Sequence, residues 1–169
     1  MPFYLRALNN KNRWYRSSPP AWLPPNEIPA EPLADLVPKS GPNISIWQIE
    51  DDRSNLKRVA AAIASGRERV DKFDYAVFPQ ELVVLSGLPV TQSPGKTPDD
   101  FANTNWHRDV IEVTADKLVR LAKEMYVKAE ISRILPMEIR QLILKGLQAR
   151  QLQESKICDR LLNDLQGNE

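Results

Sequence analysis

Three consecutive carboxylates stand where a predicted strand meets a predicted helix. Glu50, Asp51 and Asp52 directly follow the apolar segment Ile44–Ile49, and Asp74 stands in the next predicted strand. Carboxylate oxygens are the ligands that Mg²⁺ prefers, and a bound Mg²⁺ can activate water for phosphoryl transfer. One hypothesis is therefore a Mg²⁺-dependent phosphoryl hydrolase at this cluster. The alternative is that Asp52 caps the helix and the other acids are solvated at its positive end.

The only histidine of the chain, His107, is a second candidate for chemistry. An imidazole can donate or accept a proton near neutral pH, and Asp99, Asp100 and Glu112 are near it in sequence. A catalytic histidine needs a nucleophile or a metal beside it, and no serine has a nucleophile-elbow setting. A single histidine also cannot form a His-rich zinc site. We expect a structural or surface histidine, with catalysis as the alternative, and we predict no metal and no cofactor.

Basic and aromatic residues alternate near the N-terminus. Surfaces that bind single-stranded nucleic acid combine positive charge for phosphates with rings for base stacking. The pattern predicts nucleic acid binding as one hypothesis, and the alternative is that the aromatic residues hold this segment against the core. The residues concerned are Arg6, Lys11, Arg13, Trp14, Tyr15 and Arg16.

An apolar stripe near the C-terminus predicts a binding surface. Ile157, Leu161 and Leu165 recur at the i, i+4, i+8 spacing of one helix face. An amphipathic helix that the core does not need meets a partner or a second copy of its own chain. The alternative is that the stripe packs back on its own domain.

The elements that position these residues are predicted from periodicity. Residues 3–8, 44–49 and 73–78 read as strands, and 88–91 as an edge strand because Pro89 lacks a donor. The segment 44–49 is apolar on both faces, which is typical of a strand covered on both sides. A helix between 56 and 65 completes a β-α-β unit whose strands could be parallel.

Proline dominates the segment 17–42. Nine of the fourteen prolines lie within the first 42 residues, which excludes a long helix or a central strand. The segment is nevertheless apolar, with Trp22, Leu33 and Leu36 among its residues. We predict an extended strap that docks on the domain, with a short helical turn near 33–36; the alternative is a polyproline ligand.

From Asp109 onward the pattern is mainly helical, with a short strand possible at 110–113 before Thr114. One continuous helix over 137–166 would span about 45 Å, too long for a small domain, so we expect a projection or a fold-back at the polar stretch 148–156. The predicted fold class is α+β, with a small mixed sheet, packed helices, a proline-rich strap and a helical C-terminal region. The predicted units are an α+β domain at 1–113, including the strap, and the helical region at 114–169.

Composition narrows the function classes. The chain has 169 residues, a formal net charge of +1, 42% hydrophobic residues and one cysteine. This balance carries no whole-chain signature for nucleic acid or membrane, and the cysteine usage fits a reducing compartment. We predict a cytoplasmic protein without membrane contact. The leading hypothesis is a non-catalytic interaction or accessory protein that acts on a protein partner or its own copy through the strap and C-terminal helices.

Overall fold

A computed structural model describes residues 2–14, 21–38, 41–69 and 71–167. It contains six strands: β1 Phe3–Leu8, β2 Ile44–Ile49, β3 Phe73–Pro79, β4 Val90–Gln92, β5 His107–Val110 and β6 Glu130–Ile134. The α-helices are α1 Leu33–Leu36, α2 Leu56–Ser65, α3 Glu81–Leu85, α4 Asp100–Asn105, α5 Ala115–Lys128, α6 Pro136–Gln148 and α7 Asp159–Gln166. Short 3₁₀ turns lie at Lys11–Trp14 and Glu154–Lys156.

The strands form one sheet in the order β4-β5-β2-β1-β3-β6. The predicted α+β class is confirmed, but the sheet is not mixed, because every neighbouring pair is antiparallel. The N-terminal strand β1 lies between β2 and β3 and pairs with both. The strands β2 and β3 therefore point the same way without touching, and α2 connects them across β1.

Helices cover both faces of the sheet and create two apolar cores. The first core contains Leu5, Ile49 and Val77 and is covered by α2, α6 and α7. The second contains Tyr4 and Phe78 and is covered by α1, α3 and α5. The alternation of β2 between the two cores explains why both of its faces are apolar, as the sequence predicts.

The C-terminal region contains a strand that the helical pattern does not predict. Residues Glu130–Ile134 form β6, which pairs with β3 at the end of the sheet. The helix α5 packs in the second core, whereas α6 and α7 pack in the first. Residues 114–167 therefore share the sheet and both cores with the residues before them.

The chain reverses direction in the polar stretch after α6. Of the two outcomes predicted for this stretch, a projection or a fold-back, the structure has the fold-back. The helix α6 ends at Gln148, and Arg150 adopts the left-handed conformation, with φ 55°. The Gln151 amide then donates to the Gly146 carbonyl at 2.8 Å, a bond that closes the helix end. Leu152 returns to the first core and brings the following residues with it.

The described part of the strap docks through its second half. The short helix α1 lies where the sequence predicts one, and Leu36 is buried in the second core with Ile28 and Leu33 packed against it. Trp22, which the sequence predicts to dock, is instead exposed. Residues 17–20, 39 and 40 of the strap lie outside the described residues.

Candidate functional site

The carboxylates of the predicted hydrolase site do not come together. The end of β2 lies opposite the start of β1, where Ile49 faces Phe3, whereas Asp74 lies opposite Leu8 at the other end of β1. Five residues of strand separate the two positions by about 17 Å. The prediction that joins Asp74 to Glu50 and its neighbours is wrong, because Asp74 stands near the beginning of β3 rather than at its end.

Asp52 and Asp74 each have hydrogen-bond partners within the chain. The exposed Asp52 accepts a hydrogen bond from the Ser54 amide at 2.9 Å. Hydrogen bonds from the backbone and side chain of Ser54 hold the pKa of Asp52 below its usual range. Asp74 is buried and accepts from the Arg133 guanidinium at 2.5 and 2.8 Å and from the Lys11 amide at 2.9 Å. In the ranges described, no three histidine, cysteine or acidic side chains are grouped as metal ligands would be.

Two members of the basic aromatic N-terminus make hydrogen bonds within the chain. The Arg6 guanidinium donates to the carbonyl of Asp35 at 3.0 Å and to that of Ser45 at 2.8 Å. The Trp14 indole is buried and donates to the Asp35 carboxylate at 2.9 Å. Trp14 therefore belongs to the second core, which is the alternative that the sequence left open for the aromatic residues, whereas Arg6 stays partly exposed.

The remaining members of that group are only partly described. The Arg13 guanidinium lies 3.9 Å from the same Asp35 carboxylate, and Lys11 contributes its backbone amide to Asp74. Tyr15 and Arg16 lie outside the described residues. The nucleic-acid surface stays a prediction.

The predicted partner surface at the C-terminus is buried in the chain itself. Ile157, Leu161 and Leu165 are 5%, 0% and 4% exposed and belong to the first core. A partner cannot reach these side chains, so the surface predicted there is not formed. The stripe pattern identifies an apolar helix face, but it does not say which core the face completes.

A cleft of about 420 Å³ opens beside His107 on the first-core side of the sheet. Its floor comes from β2 and β5, one side comes from the end of α2, and the opposite side is the loop between β4 and α4. Its lining includes Ser45, Trp47, Ile63, Lys96, His107 and Asp109.

His107 is 6% exposed and is held from one side. Its Nδ1 lies 3.0 Å from the carbonyl oxygen of Ser93, and its ring meets the Trp47 ring edge to face at 4.8 Å. The Ser93 hydroxyl also lies 3.1 Å from Nδ1. A carbonyl oxygen only accepts and a hydroxyl oxygen can accept, so a proton on Nδ1 suits both Ser93 oxygens, whereas a bare Nδ1 would face the carbonyl lone pairs. With the proton on Nδ1, Nε2 of the neutral ring keeps its lone pair. Nε2 lies 4.0 Å from the Asp109 carboxylate, beyond hydrogen-bond distance.

Two serine hydroxyls lie near His107 and Asp109. The Ser45 hydroxyl lies 3.5 Å from the Asp109 carboxylate, so the carboxylate stands between this hydroxyl and the imidazole, which is not the order of a serine hydrolase. The Ser93 hydroxyl lies 3.1 Å from Nδ1, but a Nδ1 that donates to the Ser93 carbonyl has no lone pair with which to take a hydroxyl proton. Nε2 of His107 and the Asp109 carboxylate are the acceptors of this set that line the cleft.

The acids near His107 in sequence are engaged elsewhere. Asp99 binds Arg58 at 2.6 and 3.0 Å, and Asp100 pairs with Lys156 at 2.5 Å. The true neighbour, Asp109, is two residues along β5 and therefore on the same face of the sheet. The i, i+2 spacing of a strand is the signal that could have found it.

The loop that closes the cleft is tied down by Asn103 of α4. The Asn103 side chain accepts from the Thr97 amide and hydroxyl at 3.0 and 2.7 Å and donates to the Thr97 carbonyl at 2.7 Å. The Gly95 amide donates to the Asn103 carbonyl at 3.1 Å. This wall of the cleft is therefore built in advance of any ligand.

A second feature, the outer edge of β6, is the side of that strand away from β3. Within the described ranges β6 pairs only with β3 and ends the sheet. Exposed apolar side chains flank it: Val127 before the strand is 63% exposed, and Leu135 and Met137 after it are 61% and 72% exposed. The β4 edge, at the other end of the sheet, is only three residues long.

Comparison of the chain with models of known protein families, with curated proteins and with solved structures finds no match. None of the helices described in the structure has the length and apolar character needed to cross a membrane.

Proposed function

We propose that this protein is a non-catalytic interaction protein that associates with a second copy of itself through the outer edge of β6. The observation that carries the proposal is an end strand that, among the described residues, pairs on one side only and has exposed apolar side chains at both of its ends. An end strand presents backbone donors and acceptors that another strand can pair with. The proposal moves the predicted interaction surface away from the buried C-terminal stripe.

A second copy fits this edge because the surface is complementary to itself. Two β6 strands that pair antiparallel about Ser132 place the beginning of one beside the end of the other. Val127 of one copy then approaches Leu135 and Met137 of the other, twice over, as a two-fold interface requires. This register also places Ile131 opposite Arg133 and brings no like charges face to face.

The charged side chains of β6 do little to prevent another strand from pairing with this edge. Charges that project from an edge strand normally prevent such pairing. Here Arg133 is drawn over one face of the sheet by Asp74, and Glu130 is drawn toward the other by Arg53. The edge between them is therefore less protected than the short β4 edge, whose length limits pairing.

A pair of double variants tests the proposal. We expect sedimentation equilibrium to give a dimer for the full chain and a monomer for Leu135→Asp with Met137→Asp, because four carboxylates would then meet in the interface. The matched control is Val84→Asp with Leu85→Asp on α3, whose side chains are 69% and 65% exposed in the structure. This control should remain a dimer.

Two results would contradict the proposal. One is a full chain that stays monomeric across the concentration range. The other is a control variant that dissociates as readily as the β6 variant, which would show that added negative charge alone separates the copies. Because all four positions are exposed, each double variant should keep the circular dichroism spectrum of the parent chain.

A further inference from the structure

We infer that the cleft beside His107 binds a small organic cation that carries N–H donors, of the class of a short alkyl diamine. This inference concerns the opposite end of the sheet from β6 and does not depend on self-association. It rests on which hydrogen-bond groups face the cleft, on the sign of the charge around it, and on its size.

Two acceptors face the cleft, Nε2 of His107 and the Asp109 carboxylate, and the Ser45 hydroxyl approaches that carboxylate only to 3.5 Å. The Ser93 carbonyl fixes the proton of His107 on Nδ1, so the lone pair of Nε2 points into the space shared with Asp109. The 4.0 Å between Nε2 and the Asp109 oxygen is too long for a direct hydrogen bond. A ligand nitrogen placed between the two atoms can donate to both, as an ammonium with three N–H groups does.

The surrounding charge favours a cation. Asp109 supplies a carboxylate whose side chain is 20% exposed, so its charge is only partly screened by solvent. The C-terminal end of α2 reaches the cleft at Ile63 and Gly66, and a helix C-terminus carries partial negative charge. Lys96 is the opposing charge among the described lining residues, and it lies exposed on the loop.

Size and lining narrow the class further. A volume of about 420 Å³ lies in the range of small-molecule sites. Trp47 and Ile63 offer apolar surface on which a short methylene chain can pack. A metal ion fits less well, because His107 and Asp109 supply only two ligands. In the ranges described, no three histidine, cysteine or acidic side chains are grouped as metal ligands would be.

The single histidine makes the test direct, since its side-chain ¹⁵N resonances need no assignment. The probe is 1,4-diaminobutane, and butane-1,4-diol is its uncharged control. We expect the diamine to shift the Nε2 resonance of His107 saturably and the diol to leave it unchanged. The free protein should also show the Nδ1–H form of the neutral ring, as the Ser93 contact requires.

Variants separate recognition from folding. We expect Asp109→Asn to weaken diamine binding about tenfold, because it removes the charge but keeps the shape. The matched control is Asp116→Asn on α5, an exposed aspartate paired with Arg120, which should bind like the parent chain. Lys96→Ala removes an exposed cation and should bind at least as tightly as the parent.

Three outcomes would overturn the inference. They are the absence of saturable shifts, equal shifts with the diol, and loss of diamine binding in Lys96→Ala, because a site that recognises positive charge should not depend on a neighbouring lysine. If Asp109→Asn fails to fold, the diol comparison and Lys96→Ala still decide the question. A monomeric chain that binds the diamine would contradict the proposed self-association alone.

Discussion

At position 95 a side chain has no room. A Cβ on Gly95 would lie 2.6 Å from Asn103 Oδ1 and 2.9 Å from the Trp47 ring. Both neighbours are fixed, Asn103 by its three hydrogen bonds to Thr97 and Trp47 by its place in the first core. The glycine therefore allows the loop to close directly on the indole beside His107.

We expect Gly95→Ala to lower the free energy of unfolding by about 2 kcal/mol, as overpacking does. Gly66→Ala in the same cleft is the matched control, because its Cβ would meet nothing closer than 3.5 Å. Urea denaturation of both variants measures the difference. Equal stability of the two variants would show that the loop is not packed as described.

At the residue scale the sequence identifies His107 but not its partner. His107 and Asp109 are both visible, yet their relation depends on residues 107–110 being a strand, which places them on one face. Trp14 and Arg6 show how tertiary contacts escape the sequence. Their types suggest nucleic acid, whereas the buried Asp35 that recruits both is recognisable only once α1 has docked.

At the element scale Asp74 joins three parts of the chain. It lies in β3, binds Arg133 of β6 and caps the turn at Lys11. Burial raises the pKa of Asp74, but the hydrogen bonds from Arg133 and from the Lys11 amide outweigh it, so the pKa lies below its ordinary value. Folding therefore favours the ionised carboxylate.

This shift predicts a pH dependence of stability. A depressed pKa stabilises the fold above the unfolded pKa, near pH 4, and the stabilisation is lost as the pH falls through the folded pKa. We expect Asp74→Asn to cost about 2 kcal/mol at pH 7 and progressively less on acidification. Denaturation of both proteins between pH 7 and pH 2 measures this. A difference that stays constant or grows at low pH would contradict the assignment, and the exposed Asp116→Asn serves as the control.

Elements with strong local signals are the ones that sequence predicts. The two-sided strand β2, the short helix α1 and the edge position of β4 follow from apolar alternation and proline placement. The strand β6 does not, because five residues between two amphipathic helices carry too little pattern. The end of α6 is also hard to predict from the sequence, because the left-handed position after the helix is occupied by Arg150 and not by glycine.

At the scale of the whole molecule the decisive feature is the insertion of β1 between β2 and β3. Local patterns predict β1, β2, β3 and the helix between β2 and β3, and direct pairing of β2 with β3 would give a parallel pair. The order of strands is instead decided by long-range packing, because β1 has apolar residues for both cores. The sheet then ends at β6, an element that the sequence does not reveal, and this end is the proposed interaction surface.

Amide hydrogen exchange at two protein concentrations tests that central claim most directly. If two copies pair through β6, outward-facing amides between Glu130 and Ile134 should exchange more slowly at the higher concentration, while those of Val90–Gln92 in β4 should not change. Exchange in β6 that is independent of concentration, or protection that grows equally in β4, would contradict pairing through this edge.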